Sequence, residues 1–440
     1  MNRGSAFLKH AAPDPKKEDM NTRERFKEAM AFNRDIPTVK WEFGYWGSTI
    51  KNWYSQGLPE RKYPVIPRKI TTLSATLYTT AWTFDWQKRG ADSSERIVLP
   101  NGIGVWGGAT YWPNQGFPID NDVTNYFGMD RSMILVKVEQ LFYPKFEIKI
   151  LGEDEKTVTY IDLDGVERVF LKEEATIPTS MKWPISDWES WNKVKEERLS
   201  LDNIGERFPG NWDELMEIYK ERDFPLVLGG YPVGLFGTLS HLLGYENLFY
   251  YYYDKPDLVK DMLDTFTGLW LAIWEEVLAR TDIDAVHIWE DMSTGTSSMI
   301  SPALFREFMT PYYKKITSFF KARGVDIILL DTDGDCNELI PLFLESGITG
   351  LYPMEASAGM DVLAARKKYP ELQILGGVPK SRIVYGKTEI DRFLGPVAEL
   401  LKTGGYIPHG DHLIPPEVAW EDFRYYRDRL DHLIDSRGKS

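Results

Sequence analysis

The second half of the chain alternates short apolar runs with helical patterns, and this rhythm constrains the fold more than any other feature. Strands this apolar are typical of a parallel sheet covered by helices on both faces. Adding the run 39–46 gives seven predicted strands, namely 39–46, 225–231, 285–289, 325–330, 348–352, 372–375 and 404–407. We therefore predict an α/β protein of the (β/α)8 TIM-barrel type, whose eighth strand lies within residues 48–184. An open doubly wound sheet is the alternative.

Residues 48–184 show a different pattern, in which β-branched and aromatic runs alternate with Gly, Asn, Asp and Pro. The runs 157–163 and 166–172 flank Asp164-Gly165, which is a strong signal for a β-hairpin. We interpret 48–184 as an aromatic-rich β insertion near the N-terminus. Residues 1–20 are then a disordered leader, 21–47 the start of the barrel, and 185–440 its remainder.

Composition excludes several classes of function. The 440 residues carry 52 Lys+Arg and 66 Asp+Glu, a net charge of −14, and no dense basic run of the kind that binds nucleic acid. No apolar run approaches the ~20 residues of a membrane span. The single cysteine, Cys336, rules out an intramolecular disulfide and a thiolate-rich metal cage. We expect a cytoplasmic protein that acts on a small molecule, without a nucleic-acid or membrane partner.

Two aspartates follow the run 325–330 and are the most informative polar residues. Asp331 and Asp333 are two positions apart at a strand end, so they can point to the same side. Two carboxylates that face one cleft repel, and at least one must be protonated or bind a cation. The pattern therefore indicates a metal site or an acid/base pair. The alternative is a turn in which aspartate accepts backbone N–H bonds.

Histidines follow the last predicted strand. His409, Asp411 and His412 come directly after 404–407. In a closed barrel all strand ends meet at one mouth, so His412 can approach Asp331 and Asp333. One imidazole with carboxylates suits zinc, manganese or iron(II). The alternative is a histidine that satisfies a buried backbone carbonyl.

Glutamates end two other strands. Glu290 follows Trp289, and Glu355 lies just beyond Tyr352. A carboxyl group against an aromatic ring can hold a raised pKa and act as a general acid. A salt bridge across the barrel mouth is the alternative for either glutamate.

Several segments resemble the uroporphyrinogen decarboxylase-like superfamily. They are TRERFKEAMAFNRDIPTVKWEFGYW, IWEDMSTGTSSMISPALFREFMTPYYKKI, LLDTDGDCNELIPLFLESGITGLYPMEASAGMD, LGGVPK and GGYIPHGDHLIPPE. The resemblance implies a (β/α)8 barrel with its site at the carboxyl ends of the strands. It also implies one of two chemistries, which are decarboxylation of a porphyrinogen and zinc-dependent methyl transfer involving corrinoid proteins.

The methyltransferase branch fits better than the true decarboxylases. Decarboxylases of the superfamily carry arginine after the first strand, whereas Glu42-Phe43-Gly44-Tyr45-Trp46-Gly47 has none. In the methyltransferases a His-x-Cys pair and a later Cys hold zinc, and these places fall on Asp331-Thr332-Asp333 and on His412. The resemblance thus implies a zinc site of Asp331, Asp333 and His412. Such a set is harder than one of thiolates and suits a leaving oxygen or nitrogen.

The sequence therefore predicts a methyltransferase subunit that uses a metal, zinc by the resemblance, on a small methylated substrate such as an aromatic methyl ether. The methyl group would pass to a corrinoid protein, with Glu290 and Glu355 as catalytic residues. A decarboxylase and a non-catalytic ligand-binding barrel are the alternatives. The early aromatic segment and the strand ends supply the candidate substrate-binding residues Glu42, Tyr45, Trp46, Trp289, Tyr352, His409 and Asp411.

Overall fold

The computed structural model describes residues 20–59, 121–171 and 178–437. The predicted leader lies outside these ranges except for Met20. The first part of the described chain contains three short helices, one short strand and four longer strands. These are α1 Thr22–Met30, α2 Gly47–Ser55, α3 Asn121–Phe127, β1 Ile134–Leu135, β2 Lys149–Glu153, β3 Thr157–Ile161, β4 Glu167–Leu171 and β5 Thr179–Lys182.

The remaining chain alternates helices and strands, as the sequence predicts. Its elements are α4 Trp188–Arg198, α5 Trp212–Lys220, β6 Leu226–Gly229, α6 Leu235–Leu243, α7 Tyr245–Asp254, α8 Pro256–Leu278 and β7 Ala285–Trp289. Helical turns at Pro302–Leu304 and Phe305–Met309 lead into α9 Thr310–Lys321. There follow β8 Ile328–Asp331, α10 Ile340–Glu345, β9 Gly350–Met354, α11 Val362–Lys368, β10 Gln373–Gly376, α12 Lys387–Leu401, β11 Tyr406–Ile407 and α13 Trp420–Asp435.

Seven strands form one parallel sheet in the order β1-β6-β7-β8-β9-β10-β11. Alternate residues face opposite sides. Leu228, Leu330 and Ile374 pack in the large core that includes the helices, whereas their neighbours Val227, Leu329 and Leu375 join a separate cluster. Because that cluster draws on β6 to β11 as well as on Val39 and Phe43, the sheet curls around a common interior. The α/β class and the curled parallel sheet of the prediction are confirmed.

The two ends of the sheet differ from the prediction. The strand expected within 48–184 is β1, which pairs in parallel with β6. The segment 39–46 is extended, but its only bridge joins Tyr45 to Ile414. The Lys40 backbone bonds instead to Asp130, whose carboxylate accepts the Lys40 N–H at 2.8 Å. A side-chain bond from a residue 90 positions away therefore takes the place of the ladder that the sequence predicts there.

The extended segment nevertheless lies between the two edges of the sheet. The Thr38 hydroxyl donates to the Tyr406 carbonyl in β11 at 3.0 Å. The Trp41 indole donates to the Arg131 carbonyl, just before β1, at 3.0 Å. These contacts bring the carboxyl end of the segment to the same mouth as the other strand ends.

A second sheet is antiparallel, in the order β2-β3-β4-β5. The predicted hairpin at Asp164-Gly165 is present, and β3 pairs with β4 from Thr157–Leu171 to Ile161–Glu167. Gly165 occupies the left-handed region at φ 80°, where glycine carries no steric penalty. The full extent of the β insertion stays a prediction, since residues 60–120 and 172–177 lie outside the described chain.

Side chains that accept backbone N–H groups begin several of the helices. Ser301 caps the turn that Pro302 opens. Helix α1 begins at Thr22, but its cap is Asn21, whose side chain accepts the Glu24 N–H while Glu24 accepts the Asn21 N–H. Within the described ranges, no helix has the length and apolar character needed to cross a membrane.

Candidate metal centre at the strand ends

Three carboxylates meet where β7 and β8 end. Asp331 is the last residue of β8, Asp333 lies two residues further, and Asp291 lies two residues beyond the end of β7. One oxygen from each lies within 4.8 Å of the others. The structure thus brings Asp331 and Asp333 together as predicted. It adds Asp291, which could have been found because β7 and β8 are neighbouring parallel strands whose ends share one edge.

The loops that carry these aspartates are tied to each other. The Glu290 N–H donates to the Asp331 carbonyl at 2.8 Å, and the Met292 N–H donates to the Thr332 hydroxyl at 3.1 Å. Asp291 itself lies at φ 46°, a conformation that side-chain-bearing residues rarely adopt. Backbone strain of this kind is stored at functional sites when the surroundings fix it.

Burial and mutual repulsion disfavour the charged forms of the three groups. Burial raises the pKa of Asp291 and Asp331 well above the usual range, and the charge of Asp333 raises both further. Burial also raises the pKa of Asp333 to about 6, although the charge of Lys380 acts in the opposite direction. Near neutral pH the cluster needs either protons or a bound cation.

Two imidazoles adjoin the cluster. His287 Nε2 lies 2.8 Å from Asp331 Oδ2, and His412 Nε2 lies 3.4 Å from Asp333 Oδ2. Burial lowers the pKa of His287 to about 3 and that of His412 to about 4. Both rings are neutral at pH 7, which is the form that binds metals. The predicted meeting of His412 with Asp333 is present, and the buried His287 of β7 also contacts the site.

Oxygen and neutral nitrogen donors around one point are what zinc, manganese and iron(II) accept. The donor set therefore fits a divalent cation held by Asp291, Asp331 and Asp333, with His412 adjacent. His287 would act behind the cluster by orienting Asp331, as outer partners of metal ligands commonly do.

Glu290 is fully buried, and both of its oxygens have partners. They accept the N–H groups of Leu235, Phe236 and Gly237 at 2.7–2.8 Å, at the amino end of α6, as well as the Tyr313 hydroxyl. Burial raises the pKa of Glu290 to about 7, although these hydrogen bonds act to lower it. This geometry fastens α6 to the end of β7, so the catalytic role predicted for Glu290 stays a prediction without support from its contacts.

Glu355 and Asp411 lie beside a lysine that the sequence did not single out. Glu355 Oε2 accepts the Gly334 N–H at 2.8 Å, and its Oε1 lies 3.6 Å from Lys380 Nζ. Asp411 accepts the N–H and the hydroxyl of Ser357 at 2.9 and 2.7 Å and the Lys380 N–H at 2.9 Å. The signal that could have revealed Lys380 is its place in LGGVPK, directly after a strand end.

Two predicted substrate-binding residues, Glu42 and His409, make hydrogen bonds that stabilise the structure around the barrel mouth. Glu42 is buried and accepts bonds from the Gly410 N–H, the Tyr426 hydroxyl at 3.2 Å and Arg427 at 3.3 Å. His409 is buried, with Nδ1 2.8 Å from the Gly410 carbonyl. These contacts join the first extended segment to β11 and α13.

The predicted aromatic residues divide between core and mouth. Tyr45 packs against Trp53 and Phe423 in the outer core, at ring distances of 5.4 and 5.6 Å. Trp46 precedes α2 and is partly buried against the interior cluster. The structure therefore does not bring Tyr45 to the carboxylates.

Trp289 and Tyr352 lie closer to the centre. Trp289 is partly buried and packs edge-on against Tyr231 at 4.6 Å. Tyr352 is buried in the interior cluster, 5.4 Å from the His287 ring and 5.6 Å from that of His409. Tyr352 thus supports the imidazole that contacts Asp331.

A further aromatic group beside the cluster escaped the sequence reading. Tyr245 is 41% exposed and packs near Phe236 and Phe249, at ring distances of 6.1 and 6.3 Å. Burial raises its pKa to about 12, and the charges of Asp291 and Asp333 add to the rise. Its exposure makes the Tyr245 ring a candidate to contact a ligand.

Comparisons with known proteins agree with the fold. A methyltransferase from Methanosarcina mazei has a structure similar to this chain, with a TM-score of 0.51 and 15% identity, covering 94% of this chain and 100% of that one. No curated protein matches the sequence. The profile of the family "Uroporphyrinogen decarboxylase (URO-D)" matches residues 168–432, which is more than half of the sequence. The chain therefore belongs to the uroporphyrinogen decarboxylase family, as the motifs at its strand ends indicated.

Proposed function

We propose that the protein is a methyltransferase that removes a methyl group from the oxygen or nitrogen of a small molecule. The observation that carries the proposal is the cluster of Asp291, Asp331 and Asp333, whose oxygens lie within 4.8 Å of one another at the strand ends. The similarity in structure to a methyltransferase supports it. An aromatic methyl ether is the substrate class that we expect, and the partly exposed ring of Tyr245 is a candidate to stack on it.

The carboxylates would hold a divalent cation, zinc being the one expected from the resemblance, with His412 as a further ligand. When bound, the cation would act as a Lewis acid toward the leaving oxygen or nitrogen. The chain's own part is to keep His412 neutral by burial and to fix Asp331 through His287. The methyl group would pass to a corrinoid carried by a separate protein.

Decarboxylation of a porphyrinogen is less well supported by the site. Such a substrate carries several carboxylates, and the described cluster consists of three aspartates with Glu355 and Asp411 nearby. Like charges would oppose binding. The first extended segment, 42–47, also offers no arginine to offset them.

Metal content tests the first step of the proposal. Purified protein is stripped with chelator and titrated with zinc chloride by calorimetry, alongside Asp333→Asn. We expect about one zinc per wild-type chain and an affinity lower by about 100-fold or more in the variant, because losing a direct ligand should cost at least as much as losing a group that only supports a ligand. Glu338→Gln, an exposed acid in the same region, is the matched control and should bind as wild type does.

Activity tests the second step. Wild-type protein loaded with zinc is incubated with 2-methoxyphenol and reduced cobalamin, and methylcobalamin is followed by its absorbance. We expect transfer that chelator abolishes and zinc restores. A metal-free wild type with undiminished transfer would refute the metal site, and release of carbon dioxide from a porphyrinogen in the presence of chelator would establish the decarboxylase instead.

A further inference from the structure

Lys380 brings a positive charge to the mouth of the barrel without a short hydrogen bond to hold it. Its Nζ lies 3.6 Å from Glu355 Oε1 and 3.6 Å from Asp411 Oδ1, both longer than the usual hydrogen bond. Both carboxylates are ion-pair partners of the ammonium, but within the described chain none of its three N–H donors makes a short hydrogen bond.

Glu355 connects Lys380 to the carboxylate cluster. Glu355 Oε1 lies 3.6 Å from Lys380 Nζ, and Glu355 Oε2 accepts the N–H of Gly334, the residue after Asp333, at 2.8 Å. The Lys380 N–H donates to Asp411 Oδ1 at 2.9 Å, and the turn Lys380–Tyr385 begins at this residue, shortly after β10 ends. The side chain is 16% exposed. These contacts place the ammonium at the barrel mouth, next to the loop that carries Asp333.

Two of the other acids at the mouth, Glu290 and Asp411, are poorly placed to supply a proton, which leaves Glu355 as the competing donor because within the described ranges only its Oε2 accepts a hydrogen bond. Both oxygens of Glu290 accept bonds from α6 or Tyr313. Both oxygens of Asp411 accept bonds from Ser357 or from the Lys380 backbone. Each of these carboxylates already serves as an acceptor, so a proton on it would cost existing bonds.

We infer that Lys380 is the catalytic acid that protonates the leaving oxygen or nitrogen when the methyl group departs. This inference rests on the proposed methyl transfer. It names a residue for which the sequence reading gave no role.

The step balances as follows for a methyl ether. An electron pair of the methyl acceptor, a reduced corrinoid in the proposed function, forms the new bond to the methyl carbon. The carbon–oxygen bond breaks, and its electron pair stays on oxygen. One Lys380 N–H bond then gives its proton to that oxygen and keeps its pair on nitrogen. The products are the methylated acceptor, a neutral hydroxyl compound and a neutral lysine, which solvent reprotonates.

The test uses 4-nitroanisole, anisole and 4-methylanisole, whose phenols span a range of acidity, with full-length, zinc-loaded protein and reduced cobalamin. Nitrophenolate leaves readily without a proton, whereas 4-methylphenolate needs one. We expect Lys380→Gln to slow transfer from 4-methylanisole by about 100-fold, as expected for loss of a general acid. The same variant should lose about tenfold or less of its rate with 4-nitroanisole. Its transfer rate should therefore depend more steeply on the acidity of the leaving phenol than the rate of wild type does.

Lys380→Arg separates proton donation from charge. Arginine restores the positive charge beside Glu355 and Asp411 but does not give up its proton in proteins. We expect this variant to match wild type in melting temperature and zinc content and to match Lys380→Gln in its leaving-group dependence. The control is Lys387→Gln, an exposed lysine paired with Glu421, which should behave as wild type throughout.

The outcomes separate this inference from the function on which it rests. A wild type that transfers methyl from none of the three anisoles refutes the proposed function for aryl ethers and the inference with it. A wild type that transfers, together with a Lys380→Gln variant slowed equally on all three, refutes only the role of Lys380 as acid. Normal rates in Lys380→Arg would likewise show that charge, and not proton transfer, is what the site needs.

Discussion

Two groups of buried carboxylates in this protein meet opposite electrostatic conditions. Asp164, at the hairpin of the small sheet, lies 2.9 Å from Lys145 Nζ and 3.1 Å from His241 Nε2. Although burial opposes its ionisation, these partners hold its pKa below the usual range. In the cluster at the strand ends, burial and the neighbouring aspartates raise the pKa of Asp331 instead.

The difference teaches that burial alone does not assign a role to an acid. At Asp164 the chain supplies the opposite charge, so the carboxylate serves to join the hairpin to the barrel. At the strand ends the chain sets three acids against one another. The charge that relieves them is expected from solution, either as protons or as a cation.

Replacing Lys145, the positive charge beside Asp164, gives the largest expected change in stability. Lys145→Met leaves the buried Asp164 carboxylate with His241 as its one remaining ion-pair partner in the described ranges, and Glu139, 3.0 Å from Lys145, loses its ion pair. Breaking a buried pair in this way costs about 3–5 kcal/mol. Urea unfolding measures it, with the exposed Lys149→Met as control. Equal stabilities would show that the ion pair does not fasten the small sheet.

Removing a charge from the cluster of Asp291, Asp331 and Asp333 should raise the stability of the protein instead of lowering it. In chelator-treated protein, Asp333→Asn relieves repulsion with Asp291 and Asp331. We expect a gain of about 0.5–2 kcal/mol, the range of single stabilising substitutions. The same urea experiment measures it, with Glu338→Gln as control. A loss of stability in the metal-free variant would mean that Asp333 is held by bonds rather than strained by neighbours.

The smallest expected effect is a dependence of the protein's stability on pH. The pKa of Asp333 is raised from the ordinary 3.8 to about 6, so the folded protein binds its proton more tightly than the unfolded chain. The stability that this proton provides is complete below about pH 4 and is lost as the pH rises through about 6.

Melting temperatures of chelator-treated protein between pH 4 and 8 check this sign. The advantage of Asp333→Asn over wild type should grow across the range by about 1–3 °C. An advantage that shrinks as the pH rises would contradict the raised pKa. Asp164 would behave in the reverse way, since its pKa is lowered and its contribution is lost only as the solution becomes strongly acidic.

The sequence predicted most of the sheet because its signals are local. The runs that became β6 to β11 are apolar and bounded by turns, and the pair Asp331 and Asp333 stands at a strand end. The eighth strand was placed only within a wide range because β1 is two residues long. Whether 39–46 forms a ladder depends on Asp130, a contact across 90 residues that no local pattern reveals.

The rest of the site depends on which strand ends adjoin. Asp291 joins the cluster because β7 lies beside β8, and Lys380 faces it because β10 brings the LGGVPK segment to the same mouth. Glu290 looked like an acid for catalysis by its position after Trp289. The N–H groups at the amino end of α6 bond to both of its oxygens, so its contacts do not support that role, which stays a prediction.

The unusual backbone of Asp291, at φ 46°, has a consequence for comparing relatives. Glycine or asparagine would sit there more comfortably than aspartate, since both adopt left-handed conformations at lower cost. A lineage that no longer needed the third carboxylate would therefore gain by drifting to one of them. Under the proposed function, retention of aspartate at this one position would mark the relatives that keep the cation site.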